Sequence, residues 1–543
     1  MKRTKYIFLL LLPVFITVSC KKSSFVDVNI DPSTLTTLDP GNQFLSAATH
    51  ASNDFEYYYD VYRAIMPWMQ YITGSGGNAP SFTNVSGNFN YRYGNFYNNV
   101  GVPLVDIPHL IATMSAANAA TRVYESNIAT IYKAYYAFYV SDINGSIPYT
   151  QAFQARYGGT LTPVYDEQAA LFDTLDSQIK TAVTSLESSQ SVTQTLYGAF
   201  DPFYGDADPL NSGTPSAAAE TLSWIKAGNA LRLKIAMRLL ERNASLVQTI
   251  VTEVLADPNQ MASFNDSWVY FAGPAFATST SNYNPTGFLA SETMVNYMLS
   301  TSDPRLPIYF RPNSSGNFVG CPTNPDTTSP ASYQGHFSGN DSGFSAVQHR
   351  LFTPDFDEGD GNGPGSGVAF FPYITYAEYC FIRAELGQRG VTADVASTWY
   401  AAGVTASIQF YDAMGTGTGI AGYKSVTANQ ISNYLAAPAV AYNPANGLQQ
   451  IACQAYLDFY RQPQEAWSWW KRTGFPNTSS VVPWSILTTG GTTLVLPRRA
   501  ALTVLPASDP NYVNQQAAFT QMETDPGFGT PDNAGGRVWW DMP

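Results

Sequence analysis

The segment that most constrains the fold is residues 220–242, ETLSWIKAGNALRLKIAMRLLER. Trp224, Leu231 and Leu239 belong to a series of apolar residues at three- and four-residue steps, which is the spacing of one helical face, and Met237 lies on the opposite face. A helix that is apolar on two faces needs packing partners on both. We therefore predict a central helix of a helical scaffold. Its basic residues are expected to be paired with carboxylates or carbonyls: Arg232, Lys234 and Arg238.

Length and charge narrow the class of protein. With 543 residues the chain exceeds the size of one ordinary core, so we expect several domains or a quasi-linear repeat architecture. Charged residues make up 13% and aromatic residues 14%, which favours a stable extracytoplasmic protein over a disordered one. The formal net charge of −13 opposes binding to phosphate backbones, so we expect no nucleic-acid partner.

The N-terminus predicts export and a lipid anchor. Its first residues are basic, and an apolar run follows over residues 6–18. This run is shorter than the roughly 20 residues that cross a bilayer, so it predicts a cleaved signal peptide over residues 1–19. The run ends in TVSC, which resembles a bacterial lipobox. We expect Cys20 to be acylated, for example by palmitate, and to begin a tether over residues 20–40; ordinary signal cleavage is the alternative.

Helical periodicity recurs on both sides of the central segment. Helices are predicted over residues 121–140, 375–386, 398–413 and 446–460. Another predicted helix, over residues 54–71, carries a row of aromatic residues. We expect most of that row to lie in the core: Phe55, Tyr58, Tyr59, Tyr62 and Trp68.

Two irregular segments, about residues 74–99 and 255–371, are rich in Gly, Asn, Ser and Pro and also carry aromatic residues. Long irregular segments in a folded domain are often functional. An aromatic ring on a polar loop offers a face for stacking on a sugar, and nearby amides can bond hydroxyl groups. The alternative is that the rings hold the loops against the body. The candidate ligand-binding residues are Trp68, Tyr91, Tyr93, Phe96, Trp268, Tyr283 and Tyr333.

Other chemical motifs are weak. Asp355, Asp357 and Asp360 offer oxygen ligands that suit calcium, but they lack EF-hand spacing, so a solvated acidic turn is the competing interpretation. Residues 417–422, GTGIAG, have the letters of a dinucleotide-binding loop but follow a predicted helix, so we interpret them as a connection between helices. The four histidines form no zinc-hydrolase or triad motif, and we expect no catalytic residues and no cofactor other than a possible structural calcium.

Several short motifs occur in an order that resembles the SusD/RagB family. Asp142 begins DINGSIPYTQA, and residues 163–168 read PVYDEQ; both are similar to the family's D-x-x-G-x-I-P-Y and P-x-Y-D-x-Q signatures. The central segment resembles the family's K-x-A-N-S-L-R-L-R-L-A-M-R helix, with Gly228 where the family often has a larger residue. The remaining similar motifs are DPRLP at 303–307, TYAE at 375–378, EAW at 465–467, RTG at 472–474, PRR at 497–499 and VWWD at 538–541.

This resemblance implies a mostly α-helical lipoprotein, with a tetratricopeptide-like helical scaffold and a loop-rich, irregular ligand-binding side. Residues 41–543 would form a single SusD-like domain. Such proteins face the cell exterior at the outer membrane, capture glycans and deliver them to a SusC-like TonB-dependent transporter without catalysis. The alternatives are a binder of a non-sugar nutrient such as peptide, a secreted glycan-cleaving enzyme, or a rigid interaction partner of the transporter.

Overall fold

The computed structural model describes residues 38–73, 90–205, 215–272, 288–324, 343–353, 369–489 and 491–542. Several predictions fall outside these ranges. They are the signal peptide over residues 1–19, most of the tether over residues 20–40, Cys20, Tyr283, Tyr333, Asp355, Asp357 and Asp360. The helices and strands named below belong to one compact unit that begins at Pro40.

Helices dominate the described chain, as the sequence predicts. Two segments, Glu56–Ile65 and Phe96–Val100, are wound as π-helices, and short 3₁₀ turns occur between elements. The α-helices are α1 Pro40–Ala51, α2 Met66–Trp68, α3 Tyr91–Asn95, α4 Gly101–Thr113, α5 Ala116–Ala120, α6 Val123–Asn144, α7 Gln168–Glu187, α8 Ala217–Leu239, α9 Ala244–Ala256, α10 Glu292–Thr301, α11 Leu306–Tyr309, α12 His349–Phe352, α13 Tyr376–Gln388, α14 Ala396–Gly417, α15 Ala428–Ala436, α16 Gly447–Asp458, α17 Pro463–Thr473 and α18 Tyr512–Met522.

The strands within the described ranges are short and pair antiparallel. One sheet has the order β1-β3-β5-β4, β2 pairs with β6, and β7 pairs with β8. Most of them lie in or beside the segment predicted to be irregular, residues 255–371. Their bounds are β1 Ile72–Thr73, β2 Trp268–Ala272, β3 Leu289–Ala290, β4 Phe310–Arg311, β5 Ala346–Val347, β6 Ala369–Ile374, β7 Thr488–Thr489 and β8 Thr492–Thr493.

Helix α8 is the central helix predicted from residues 220–242. The Ser216 hydroxyl caps its N-terminus by accepting the Ala219 N–H at 3.2 Å. From Trp224 to Leu239 every residue except Lys226 is buried. The helix packs against α7, α9, α13 and α6, so both of its apolar faces are covered and the prediction is confirmed.

Gly228 allows the close approach of α8 to its neighbours. A Cβ atom at this position would lie 2.6 Å from Val183 Cγ2 and 3.3 Å from Ile131 Cδ1, so a larger residue would collide with α7 and press on α6. The departure from the family pattern at Gly228 is therefore explained by tight packing with β-branched partners.

Consecutive helices pack against each other in pairs. The pairs are α6 with α7, α8 with α9, α13 with α14, and α16 with α17. This arrangement is the tetratricopeptide-like scaffold that the resemblance implies. Helix α14 ends at Gly417, and Gly419 and Gly422 follow in turns with positive φ, so the glycines of GTGIAG do connect helices.

One predicted loop is partly helical. The composition of residues 74–99 predicts an irregular segment, but α3 and the following π-helical segment occupy residues 91–100. The Tyr91 N–H at the first turn of α3 is accepted by Asp60 Oδ2 at 3.0 Å, which supplies a cap from outside the segment. Phe96 then packs on Tyr136, with ring centroids 5.7 Å apart, and this tertiary contact outweighs the low helix propensity of the Gly- and Asn-rich sequence.

Candidate functional site

The motif residues meet in a buried charge network around α8. Arg238 Nε lies 2.9 Å from Asp142 Oδ1, and Arg238 Nη2 lies 2.8 Å from Glu465 Oε1. Lys234 Nζ lies 2.9 Å from both Glu378 Oε1 and Glu465 Oε2. These residues come from α6, α8, α13 and α17. The prediction that the cations of the central helix are paired is therefore confirmed, and the motifs that carry the resemblance are scaffold residues.

The pKa values of Glu378 and Glu465 are shifted in opposite directions by burial and by neighbouring charges. Burial raises the pKa of Glu378 to about 8, although Lys234 opposes the shift. Burial alone would also raise the pKa of Glu465, but Arg238 and Lys234 together hold that pKa below its ordinary value. Glu378 is therefore the carboxyl that keeps its proton near neutral pH, which reduces the excess of negative charge in the network.

Glu378 should make the protein less stable as the pH rises. Its pKa is higher in the folded than in the unfolded chain, so its contribution is fully present below about pH 4.5 and is lost as the pH rises to about 8. In denaturant unfolding, we expect the drop in the free energy of unfolding between pH 5.5 and pH 8 to be smaller in Glu378→Gln than in the parent, by roughly 2–3 kcal/mol. Equal drops in the two proteins would contradict this assignment.

Three predicted ligand-binding residues lie in the core. Trp68, Phe96 and Trp268 are each 0% exposed. Trp68 packs against Trp467, with ring centroids 5.9 Å apart, and Trp268 against Trp224 at 5.1 Å. A sugar cannot reach the faces of these rings, so we remove them from the candidates. A sequence shows that an aromatic residue is present but not which side of the fold it faces.

Of the remaining candidates, Tyr93 and Tyr91 are described. Tyr93 is partly buried and packs on Tyr97, with ring centroids 4.6 Å apart. The Tyr97 hydroxyl in turn donates to the Pro148 carbonyl. Tyr93 therefore fixes α3 to the scaffold. Tyr91 instead lies at the surface, where it lines an open cavity.

Tyr91 belongs to an exposed group of rings that we call the aromatic surface, made of Phe55, Tyr58, Tyr59 and Tyr91. Phe55 is 47% exposed, and the three tyrosines are partly exposed. The ring centroid of Tyr91 lies 5.5 Å from that of Tyr59 and 5.9 Å from that of Phe55. The Arg63 guanidinium lies over Tyr58 and Tyr59, 5.4 and 5.6 Å from their centroids. The Tyr91 ring stacks on those of Phe55 and Tyr59, so the cluster leaves its outer ring faces and edges to solvent.

An amide-rich cavity of about 390 Å³ adjoins this surface. We call it the asparagine cavity; its lining residues are Asn53, Phe55, Asn90, Tyr91, Gly94, Asn95, Asn98 and Asn99. Some of its amides are held by the protein: Asn95 Nδ2 donates to the His50 carbonyl at 2.7 Å, and Asn99 Nδ2 donates to Asn95 Oδ1 at 2.9 Å. Asn98 is exposed. A cavity with one aromatic wall and several positioned amides suits a polyhydroxylated ligand.

A buried acidic face orients the aromatic surface. Glu56 and Asp60 point inward from the π-helical segment and are 1% exposed. The Tyr139 hydroxyl donates to Glu56 Oε1, Arg92 Nε lies 3.7 Å from the same oxygen, and Asp60 accepts the Tyr91 N–H. With the acids turned inward, Phe55 and Tyr59, which each adjoin one of them, face outward. π-Helical winding is rare and is frequently found at functional sites.

The two buried acids bind protons more tightly than free carboxyls do. Burial raises the pKa of Asp60 well above its ordinary value, and the neighbouring Glu56 adds to the shift. Burial also raises the pKa of Glu56, with Arg92 opposing. One cation therefore faces two carboxyls, and protonation relieves the imbalance while the hydrogen bond to Tyr91 is kept.

Sequence reasoning missed Phe55, Tyr58 and Tyr59 as site residues. It placed most of this row in the core, and for Tyr62 and Trp68 that is correct because both are 0% exposed. The signal available was the i, i+4 pair of acids, which ordinarily marks the solvent side of a helix. Here the acids turn inward toward partners from α3 and α6, so the expected orientation is reversed.

Other features of the described residues are structural. Cys321, Cys380 and Cys453 are buried and free of disulfides. Trp467 is buried, and its indole N–H donates to the Pro497 carbonyl at 2.9 Å, so it has a packing role. Within these ranges no cluster of three or more His, Cys, Asp or Glu could hold a metal ion. The helices seen there include none long and apolar enough to cross a membrane.

A protein-family model matches most of the chain. The SusD-like model, described as "Starch-binding associating with outer membrane", matches residues 32–485. No curated protein matches the chain significantly.

Solved structures share the fold. A chitin-binding protein superposes with a TM-score of 0.70 at 21% identity, covering 93% of this chain and 100% of its own. A SusD homologue from Bacteroides fragilis gives 0.67 at 20% identity, with 92% and 99% coverage. A chitin-binding SusD homologue from Flavobacterium johnsoniae gives 0.65 at 21% identity, with 93% and 98% coverage. At these identities the likeness establishes the architecture, and ligand identity must come from the site.

Proposed function

The chain belongs to the SusD-like family of starch-binding proteins associated with the outer membrane, and from this premise we propose that it captures oligosaccharides at the cell surface. The observation that carries the proposal is the aromatic surface beside the asparagine cavity. Exposed rings stack on the apolar faces of sugars, and amides both donate to and accept from hydroxyl groups.

Delivery completes the proposed role. We propose that acylated Cys20 anchors the protein in the outer membrane, facing the cell exterior, and that the bound glycan passes to a SusC-like TonB-dependent transporter. The signal peptide and lipobox motif support the anchor. A lipid anchor of this kind needs no membrane-spanning helix. The protein would act by binding alone, as the family description implies.

Binding at the aromatic surface can be measured by calorimetric titration. The chain carrying Cys20→Ser, which cannot be acylated, is titrated with a panel of neutral oligosaccharides that includes α- and β-linked glucans. Tyr91→Ala should weaken binding of the best ligand by about tenfold, which corresponds to about 1.4 kcal/mol. This is about the binding free energy that one stacked ring contributes.

The matched control is Phe200→Ala, which removes a ring that is 37% exposed but does not line the cavity. It should leave the affinity unchanged. Binding of peptides and of no sugar would contradict the glycan assignment. Release of shorter products from the sugars during the titration would instead favour the secreted glycan-cleaving enzyme.

A further inference from the structure

Asp60 is a buried carboxyl that holds part of the asparagine cavity from behind. Its Oδ2 atom accepts the N–H of Tyr91 at 3.0 Å, and both Tyr91 and the preceding Asn90 line the cavity. The side chain of Asn90 does not cap α3, so Asp60 supplies the acceptor for the first turn of this five-residue helix. One hydrogen bond from outside α3 therefore helps to fix two residues of the cavity wall.

Asp60 and Glu56 lie one turn apart but differ in their partners. Glu56 accepts the Tyr139 hydroxyl and lies 3.7 Å from Arg92 Nε. Within the described ranges Asp60 forms no ion pair, and its Oδ1 atom has no hydrogen-bond partner. A buried carboxyl without a paired cation is more stable with its proton than without it. Asp60 is therefore the acid of this pair that stays uncharged, and Glu56 carries the charge opposite Arg92.

The pKa of Asp60 agrees with this assignment. Burial raises it well above its ordinary value, and the charge of Glu56 adds to the shift. Arg92 and the N–H of Tyr91 oppose the shift without cancelling it. The pKa of Glu56 is also raised by burial, but the charge of Arg92 and the Tyr139 hydroxyl both lower it.

The other elements that pack on the π-helical segment have their charges engaged elsewhere. Helix α2 has no titratable side chain. From α6, Tyr139 bonds Glu56 and not Asp60. The charged residues of α17 have partners in the scaffold: Glu465 pairs with Arg238 and Lys234, Lys471 donates to the Asp142 carbonyl, and Arg472 pairs with Glu385. Among the described residues, Arg92 is thus the one cation that acts on both buried acids.

Ionisation of Asp60 would place a second negative charge beside Glu56 in the core. Like charges repel strongly where water is excluded, and Arg92 cannot neutralise both. The repulsion is relieved when the π-helical segment and α3 separate enough for water to reach the Asp60 carboxylate. That movement would displace Tyr91 and Asn90, because α3 begins at the hydrogen bond to Asp60.

We propose that Asp60 in its uncharged form is a positioning residue for the asparagine cavity, and that loss of its proton displaces Tyr91 and weakens ligand binding. This inference rests on the proposed glycan-binding function and adds a pH dependence to it. Ligand affinity is expected to be full at pH values below the folded pKa of Asp60 and to fall as the pH rises through it.

The test compares the pH profiles of binding in the parent and in Asp60→Asn, both carrying Cys20→Ser. Each is titrated from about pH 5.5 to about pH 9.5 with whichever of cellohexaose, chitohexaose and maltohexaose binds most tightly, since these sugars do not ionise in this range. The affinity of the parent should fall by about tenfold at the alkaline end. The asparagine amide can accept the Tyr91 N–H but cannot ionise, so the profile of Asp60→Asn should lack this fall.

Two further variants separate positioning from folding. Asp60→Leu has no acceptor for the Tyr91 N–H and should bind about tenfold more weakly at every pH. Asp412→Asn is the matched control, because Asp412 Oδ1 also accepts a backbone N–H, that of Val426 at 2.8 Å, but does not line the cavity. Asp412→Asn should keep the pH profile of the parent. Circular dichroism confirms that each variant is folded.

The outcomes separate the two proposals. Equal pH profiles in the parent and Asp60→Asn, or unchanged affinity in Asp60→Leu, would overturn the role of Asp60 and leave glycan capture standing. If no sugar binds, glycan capture fails, and hydrogen exchange of peptides covering residues 90–95 decides the role of Asp60. At the alkaline end these peptides should exchange faster in the parent than in Asp60→Asn, and equal rates would overturn the proposal.

Discussion

Replacing Arg238 with methionine should lower the free energy of unfolding by about 3–5 kcal/mol, because two buried carboxylates, Asp142 and Glu465, each lose a cationic partner. The Arg238 side chain is 0% exposed, and its partners Asp142 and Glu465 are 6% and 7% exposed. The guanidinium also lies 5.2 Å from the ring centroid of Trp540. Methionine fills much of the same volume, so the loss reports the missing charge and hydrogen bonds.

The matched control is Lys180→Met. Lys180 forms an ion pair of similar length, 2.6 Å to Glu253, but the two side chains are 50% and 33% exposed. Water compensates such a pair, so this variant should lose less than about 1 kcal/mol. Urea unfolding followed by tryptophan fluorescence measures both variants. If the free energy of unfolding falls no more in Arg238→Met than in Lys180→Met, the buried network does not stabilise the scaffold as we infer.

Replacing Trp224 with alanine should lower the free energy of unfolding by about 3–5 kcal/mol. The indole is 0% exposed and meets the rings of Phe203 and Trp268 edge to face at 5.7 and 5.1 Å. Its N–H donates to Asp201 Oδ2 at 2.7 Å, and Asp201 Oδ1 accepts the Phe203 N–H at 2.8 Å. Alanine would therefore leave both a cavity and a buried carboxylate with one bond fewer.

Trp399→Ala makes the same change at a more exposed position. The Trp399 side chain is partly exposed, and its indole N–H also donates to an aspartate, Asp394, at 3.1 Å. Solvent can fill the gap and bond the freed carboxylate, so we expect a loss of about 1 kcal/mol in the same unfolding measurement. Similar losses of unfolding free energy in Trp224→Ala and Trp399→Ala would contradict the larger contribution that we assign to the buried Trp224.

The scaffold could be predicted from local sequence because periodicity reports burial. Residues 220–242 are apolar on two faces, and α8 is covered on both. The sequence motifs also marked Asp142, Glu378 and Glu465, although their meeting around Arg238 and Lys234 appears only in the structure, where segments far apart in the chain come together.

The candidate site could be predicted only in part. Tyr91 stands out in the sequence as a ring in an amide-rich stretch, and it does line the cavity. Trp68 and Trp268 look equally suitable in the sequence but lie in the core. Aromatic side chains serve both packing and stacking, so residue type and spacing cannot separate the two uses.

The chain by itself therefore determined the helical scaffold and the family, because these depend on local periodicity and on short motifs. Only the tertiary structure decided which aromatic residues face solvent. Phe55 and Tyr59 are exposed because the acids beside them, Glu56 and Asp60, turn inward to Tyr139, Arg92 and the N–H of Tyr91. Those partners lie between 31 and 83 residues away along the chain, and no local pattern can reveal that they will be there.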